Sequence, residues 1–221
     1  MRILLYREGL HIFISAGLTL IICLVAGITF SCFPCLLGAC LAGLFLLFTV
    51  LAFRNPNRHS PVDDTILLSP ADGRIVDIVN LDFCVFFDGP AQLISIFLSP
   101  LDVHVNRSPA TGRIILKSYR KGRFYPAFRK KSSDLNEHTI IGIENLFGKI
   151  YFKQIAGMVF RRIVCHLKEN DYVSAGEAFG MIKFGSRVDI FVSPKVRIVV
   201  SKGGRVRAGL SIIGEYRDKK Q

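Results

Sequence analysis

Charge is missing from most of the first 53 residues. Between Glu8 and Arg54 the sequence contains no Asp, Glu, Lys or Arg, and residues 9–53 consist mainly of Leu, Ile, Phe, Val, Ala and Gly. A membrane-spanning helix needs about 20 apolar residues, so the run is long enough for two. The predicted break is Ser31–Pro34, because proline lacks a backbone donor. We therefore predict a transmembrane helical hairpin, with helices over about 9–30 and 35–53. A membrane anchor is favoured over a cleaved signal peptide, since the apolar region of a signal peptide would end after about 7–15 residues.

The flanking charges predict how this membrane anchor, residues 1–53, is oriented. Arg2 and Arg7 precede the apolar run, and Arg54 and Arg58 follow it. Cytoplasmic flanks of membrane helices are enriched in Lys and Arg, so both ends are predicted to lie in the cytoplasm. The polar remainder, residues 54–221, would then face the cytoplasmic side of the cell membrane.

Cysteine is also scarce, with six residues in the chain. Four lie in the anchor, while Cys84 and Cys165 lie in apolar, strand-like runs. Cys32 and Cys35 have the spacing of a redox or zinc pair, but the sequence has no second pair and no histidine beside them. No metal site is predicted.

Acidic residues are few, with 17 Asp and Glu against 29 Lys and Arg, for a net charge of +12. Residues 117–131 have no acid at all and hold seven basic residues: Lys117, Arg120, Lys121, Arg123, Arg129, Lys130 and Lys131. Four aromatic residues alternate with them: Tyr119, Phe124, Tyr125 and Phe128. Basic and aromatic side chains both favour the surface of an anionic leaflet. We interpret this basic segment as a membrane-contacting loop. An ordinary solvated face and a nucleic-acid patch are the alternatives, and no nucleic-acid partner is expected for a tethered domain.

Long helical patterns are lacking after the anchor. Short runs rich in Val, Ile and Phe are separated by Gly, Pro, Asn and Asp, which is typical of strands. Eight strands are predicted: Ile75–Val79, Leu93–Leu98, Gly112–Leu116, Thr139–Ile143, Lys149–Ile155, Arg162–Leu167, Val188–Val192 and Val196–Val200. Residues 54–221 are predicted to form one mainly β domain, in a chain that is α+β overall.

Two internal repeats add detail to this fold. Residues 69–76 (SPADGRIV) are echoed by 108–115 (SPATGRII), and 171–176 (DYVSAG) by 204–209 (GRVRAG). Such doubling suggests duplicated, barrel-sandwich units like those of biotinyl and lipoyl carrier domains. The alternative function is therefore a membrane-anchored carrier or adaptor without catalysis, modified at Lys183.

A Gly-Ser pair stands between two apolar runs at Gly185 and Ser186. A serine hydroxyl can attack the carbonyl that precedes it, and glycine tolerates the strained backbone that this attack needs. The same pair is also an ordinary turn sequence. The dipeptide by itself therefore leaves self-cleavage and a simple turn both open.

Four motifs in order carry a family resemblance: Ser69–Gly73 (SPADG), Leu98–Arg107 (LSPLDVHVNR), Gln154–Gly157 (QIAG) and Phe184–Val188 (FGSRV). With the apolar hairpin before them, they resemble the pyruvoyl-dependent phosphatidylserine decarboxylases, in the short form of bacteria and archaea. The resemblance covers about residues 54–214.

The resemblance implies a proenzyme that cuts itself between Gly185 and Ser186. The products would be a β chain (1–185) and an α chain (186–221), joined as a heterodimer, with a higher oligomer left open. Ser186 would become a covalent pyruvoyl group. Its carbonyl would form a Schiff base with phosphatidylserine from an anionic membrane, and phosphatidylethanolamine and CO2 would be released in phospholipid biosynthesis.

The resemblance also implies roles for individual residues. His104 is the candidate base for Ser186 and proton donor in decarboxylation, because the ordinary histidine pKa near 6.5 suits both tasks. The alternative is that another group activates Ser186. Asp72 is expected to orient the processing machinery. Longer family members carry a second histidine where this chain has Arg107, which stays protonated and is a candidate to bind the lipid phosphate or carboxylate. His138 and His166 are expected to have a turn role and a solvent-facing role, respectively.

Overall fold

The computed structural model describes residues 3–122, 125, 135–157, 162–182 and 186–216. The chain forms two compact units, Met1–Asn57 and Arg58–Gln221. The elements of the first unit are β1 (Ile3–Leu5), a short 3-10 helix (Arg7–Gly9), α1 (Leu10–Thr29), α2 (Phe33–Ala52) and β2 (Arg54–Pro56). Strands β1 and β2 pair antiparallel.

Both predicted helices are present, and the turn between them lies at the predicted break. Ser31 has a positive φ of 50° in this turn. Pro34 does not end a helix but lies in the first turn of α2. A backbone N–H there would have no intrahelical acceptor, so proline costs nothing at this position.

The two helices are long and apolar enough to cross a membrane. Most of their large side chains are exposed, including Ile28 at 73% and Leu44 at 65%. A helix from a soluble core would bury such side chains, so their exposure suggests association with a membrane.

The second unit is built from strands. They are β3 (Ile66–Leu68), β4 (Gly73–Cys84), β5 (Gly89–Leu98), β6 (Val105–Arg107), β7 (Gly112–Arg120), β8 (His138–Asn145), β9 (Gly148–Ile155), β10 (Ile163–Cys165), β11 (Tyr172–Val173), β12 (Ala178–Ile182), β13 (Ser186–Val192), β14 (Val196–Ile198), β15 (Arg205–Val206) and β16 (Ile212–Tyr216). All eight predicted strands are among them. Those over 162–167 and 196–200 are shorter than predicted, whereas β4 and β7 are longer.

One antiparallel sheet contains eight of these strands, in the order β11-β7-β8-β9-β13-β5-β4-β15. Two smaller sheets have the orders β10-β12-β6 and β14-β16-β3. The main core includes Ile96, Phe152 and Val188 from the centre of the large sheet, with Leu67 and Ile213 from the strands of a small one. The mainly β prediction is thus confirmed for this unit.

The sequence repeats are also repeats of hydrogen bonding. Ser69 and Ser108 each donate their hydroxyl to the carbonyl two residues later, at 2.7 Å in both turns. The N–H of Gly209 bonds the carbonyl of Ser69, and the N–H of Gly176 bonds that of Ser108, both at 2.8 Å. Gly176 and Gly209 have φ of 78° and 69°, which favours glycine at both sites. Duplicated turn units are therefore present, while the barrel-sandwich description stays a prediction.

Candidate functional site

Ser186 is the first residue of β13 and lies in the middle of the large sheet. Its backbone pairs with Leu98, the last residue of β5, and the next residue, Arg187, pairs with Ile155 of β9. Ser186 is wholly buried, and its hydroxyl has no hydrogen-bond partner among the described residues. A buried hydroxyl without a partner is costly, so this atom is a candidate for chemistry. Gly185 and Lys183 lie outside the described residues.

His104 lies in the segment that joins β5 to β6. It is buried, with 1% of its surface exposed, and its carbonyl accepts a hydrogen bond from the N–H of Ile182 at 3.3 Å. Ile182 ends β12, three residues before the predicted cleavage pair. The segment from Leu98 to His104 therefore contacts Ile182 before that pair and Ser186 within it, which brings two predicted site residues into one region.

Asp72 lies in the first of the duplicated turns, and its carboxylate is already held by other groups. Arg58 donates to its two oxygens at 2.5 and 2.8 Å, and the N–H of Ala208 donates at 2.8 Å. The second turn has a corresponding bond with an uncharged acceptor. There the N–H of Ala175 donates to the Thr111 hydroxyl at 3.1 Å. These contacts give Asp72 a structural task, and its role in processing stays a prediction.

Arg107 is the last residue of β6 and is 8% exposed. Its guanidinium donates to the carbonyl of Gly176 at 2.9 Å, in the second duplicated turn. This contact anchors the side chain to the backbone. Binding of a phosphate or carboxylate by Arg107 stays a prediction.

The sequence motifs left two buried amides without a role. Gln154 in β9 donates to the side-chain oxygen of Asn106 at 2.8 Å, and Asn106 donates to the carbonyl of Pro70 at 3.3 Å. Both amides are wholly buried. Amide residues inside two of the four motifs were the available signal.

A buried ion pair follows Ser186 immediately. Arg187 donates to Asp189 at 2.5 Å and to the hydroxyl of Ser95 on β5 at 2.7 Å. Alternation along a strand places Arg187 and Asp189 on the face opposite to Ser186. The ion pair and its bond to Ser95 therefore link the start of β13 to β5 on the face opposite to Ser186. The alternation of Arg187 and Asp189 with apolar residues was the indication of this role in the sequence.

Two other histidines were candidates from the sequence, and a half-buried thiol has a shifted pKa. His138 does not lie in a turn, as was predicted, but begins β8 and is buried, with Nδ1 2.7 Å from the carbonyl oxygen of Asn136. His166 is exposed, as predicted. Burial raises the pKa of the Cys165 thiol, so it stays protonated at neutral pH and is a poor nucleophile.

The basic segment emerges from the sheet at the end where Ser186 lies. Arg120, His138, Ile155 and Arg187 are successive cross-strand partners in one row from β7 to β13. Arg120 and Lys121 are exposed. Residues 123, 124 and 126–134, which complete most of the segment, lie outside the described residues.

Breaking the Arg58–Asp72 pair should destabilise the second unit. We expect Asp72→Leu to lower the free energy of unfolding by about 3–5 kcal/mol, because it leaves a buried guanidinium unpaired. Arg58→Met combined with Asp72→Leu should recover most of this loss. Denaturant unfolding of the full chain in detergent measures both effects.

Glu215→Leu is the matched control, since it breaks an exposed pair with Arg197 and should cost no more than about 1 kcal/mol. If the double variant regains stability but lacks the self-cleavage predicted for the wild type, a purely structural role for Asp72 is wrong.

Comparison with known proteins assigns the chain to a family. A family model for phosphatidylserine decarboxylase matches residues 45–214. A phosphatidylserine decarboxylase proenzyme from Carboxydothermus hydrogenoformans is 40% identical over 216 residues, which cover 97% of this chain and 98% of the relative. Proenzymes of the same name from Chlorobium phaeobacteroides and Salinibacter ruber are 42% and 46% identical, covering 90% and 76% of this chain and 94% and 76% of the relatives. The resemblance in the four motifs is confirmed, and the chain belongs to the phosphatidylserine decarboxylase family.

Proposed function

We propose that this protein decarboxylates phosphatidylserine to phosphatidylethanolamine, using a pyruvoyl group that it makes from Ser186 by self-cleavage after Gly185. The observation that carries the proposal, beyond family membership, is the Ser186 hydroxyl. It is wholly buried at the start of a central strand and lacks a hydrogen-bond partner in the described part of the chain. A buried hydroxyl without a hydrogen-bond partner destabilises the fold, and a role as a nucleophile is a reason for the chain to keep it.

Self-cleavage begins with an acyl shift that needs no outside reagent. The Ser186 oxygen bonds to the carbonyl carbon of Gly185, the bond from that carbon to the Ser186 nitrogen breaks, and the hydroxyl proton passes to the nitrogen. His104 is the proposed base, since it is buried in the segment that contacts Ile182 and Ser186, on the two sides of the bond to be cut. β-Elimination then removes the α proton of residue 186 and breaks the bond between its β carbon and the ester oxygen, so the β chain leaves with a Gly185 carboxylate. The dehydroalanine that remains would take up water and release ammonia to give the pyruvoyl group.

The pairing of the strands supports a heterodimer of α and β chains. The α chain, residues 186–221, would contribute β13–β16. Strand β13 pairs with β5 and β9, β15 pairs with β4, and β16 pairs with β3. Three of the four strands, β13, β15 and β16, therefore bond directly to the β chain. Cutting one peptide bond at the start of β13 leaves all of these ladders in place.

The pyruvoyl carbonyl would accept the electrons that remain when CO2 leaves an amino-acid head group. The residues around Ser186 suit such a group because they exclude water, with Leu98, Val188 and Gln154 buried on its face of the sheet. His104 is the proposed donor that returns a proton to the substrate carbon. Arg107 is the proposed contact for the lipid phosphate or carboxylate.

The location of the basic segment supports a membrane substrate. Because Arg120 and Ser186 lie at the same end of the large sheet, a segment that contacts anionic lipid would hold the site toward the bilayer. We propose that the two apolar helices cross the cell membrane and that the catalytic unit lies on the cytoplasmic side.

Self-cleavage should be visible in the purified protein. We expect denaturing electrophoresis and intact mass to find chains of residues 1–185 and 186–221, the shorter one without a free N-terminal amine. Ser186→Ala should leave one uncut chain with no decarboxylation, because the attacking oxygen is gone. Ser193→Ala, in the same region of the chain, is the control and should cleave normally. A wild-type chain that stays intact in its folded form would refute the proposal.

Removing the imidazole of His104 tests the proposed base. We expect His104→Ala to accumulate the uncut chain, measured as the rate of fragment appearance after synthesis in detergent, with a loss of roughly 100-fold or more. His166→Ala, at an exposed histidine, should cleave at the wild-type rate. Normal cleavage without decarboxylation would confine His104 to the later reaction, and normal rates of both would exclude it from the site.

Reversing the charge of the basic segment should weaken access to the lipid. We expect Arg120→Glu with Lys121→Glu to raise KM for phosphatidylserine in anionic mixed micelles by roughly tenfold or more and to leave kcat unchanged, since each basic residue contributes about 1 kcal/mol at an anionic surface. The difference should shrink as salt is added. Lys149→Glu with Lys195→Glu reverses two exposed charges at the opposite end of the sheet and is the control. An equal effect of both pairs would contradict a specific contact.

A further inference from the structure

Three groups near Ser186 form a chain of hydrogen bonds whose direction is determined. The carbonyl of Pro70 can only accept, so Asn106 must turn its NH2 group toward that oxygen. The Asn106 oxygen then faces Gln154, which must present its own NH2 group in turn. Although the ends of an amide are easily interchanged, the fixed carbonyl decides both orientations here. The chain therefore ends on the Gln154 oxygen, Oε1.

Oε1 of Gln154 is an acceptor without a donor in the described part of the molecule. The whole side chain is buried, so Oε1 lies away from bulk solvent. Leaving a buried acceptor unsatisfied costs about 1–3 kcal/mol. Native structures keep few such groups, and those that remain call for a functional explanation.

The register of β9 and β13 places this acceptor beside Ser186. Gln154 pairs directly with Val188, so their side chains lie on the same face of the sheet. Ser186 precedes Val188 by two residues and therefore shares that face. Diagonal neighbours of this kind are about 7–8 Å apart, within the reach of a long side chain. The acceptor of Gln154 and the hydroxyl of Ser186, both unsatisfied among the described residues, are thus neighbours.

We propose that Gln154 is a third functional residue of the self-cleavage site, whose Oε1 accepts the hydrogens that residue 186 carries. The proposal rests on the proposed function. In the uncut chain the Ser186 hydroxyl lies on the same face of the sheet as this acceptor without bonding it. When the acyl group moves from the Ser186 nitrogen to its oxygen, the hydroxyl hydrogen is transferred to nitrogen, and residue 186 acquires an amino group. That group brings new N–H donors into a buried site and takes the same acceptor.

This task is distinct from that of His104. A neutral amide oxygen does not take up a proton at physiological pH, so Gln154 holds a hydrogen whereas His104 removes one. An acceptor for the new amino group stabilises the ester relative to the peptide. Because the peptide is favoured in ordinary chains, a shift of this equilibrium toward the ester directly increases the amount that goes on to eliminate.

The test follows self-cleavage of the full chain after synthesis in detergent, with and without hydroxylamine, which cuts the ester. We expect Gln154→Met to cleave roughly 10-fold to 100-fold more slowly in both conditions, the effect of leaving the new buried amine without one hydrogen bond. Gln92→Met is the matched control, because Gln92 on β5 donates to the carbonyls of Ser193 and Val196 away from the site. It should lose stability and still cleave at the wild-type rate.

A second pair of variants tests the orientation of the amide without changing Gln154. Asn106→Asp keeps an oxygen facing the NH2 group of Gln154, whereas Asn106→Leu removes it and frees the amide to turn over. We expect Asn106→Asp to cleave several-fold faster than Asn106→Leu when both have the same melting temperature, and equal rates would contradict the proposed orientation.

Other outcomes separate the inference from the function on which it rests. Wild-type cleavage by Gln154→Met, or slowing of Gln154→Met and Gln92→Met in proportion to their melting temperatures, would overturn the role of Gln154 alone. An ester that accumulates in Gln154→Met, so that hydroxylamine restores rapid cutting, would also overturn it. A wild-type chain that does not cut itself would instead overturn the proposed function.

Discussion

The structure depends on the position of β13 between β5 and β9. A strand with a neighbour on each side has both edges of its backbone bonded, and all seven residues of β13 are buried. One face contributes Val188 and Ile190 to the main core, while the other contains the Arg187–Asp189 pair. A strand held in this way does not need covalent continuity at its first residue. The proposed cut therefore falls at the start of a strand that is bonded on both edges, and the new terminus would stay in its place.

Buried polar groups are the second constraint on the site. A buried ion pair or amide contributes little to stability beyond what apolar packing would provide, but an incomplete one is strongly destabilising. Arg187 and Asp72 are each satisfied by several partners. Against this background the hydroxyl of Ser186 and the oxygen of Gln154 differ, since neither has a hydrogen-bond partner within the described residues. The polar groups that join the strands are thus satisfied, whereas these two atoms of the proposed site are not.

Duplication explains why the motif residues differ in what they do. Both copies of the turn need a serine bonded to its own loop and a glycine with positive φ facing it. Beyond this shared frame the copies diverge, because Asp72 in one corresponds to Thr111 in the other, and both accept a backbone N–H. The charge of Asp72 is then neutralised by Arg58, for which the second copy has no need. Part of the family motif thus serves the turn itself.

Local patterns in the sequence determined much of this protein. The length of the apolar run specified the two helices, and alternation with turn residues specified the strands. The four short motifs specified the family. Each of these signals is carried by residues that are neighbours along the chain. The sequence could not show that Arg58 neutralises Asp72, that His104 lies beside Ile182, or that Gln154 shares a sheet face with Ser186. Those relations join residues that are separated along the chain, so only the tertiary structure decides them. For Gln154 and Ser186 the deciding feature is the register of the strands, since a shift of one residue would turn every side chain to the opposite face.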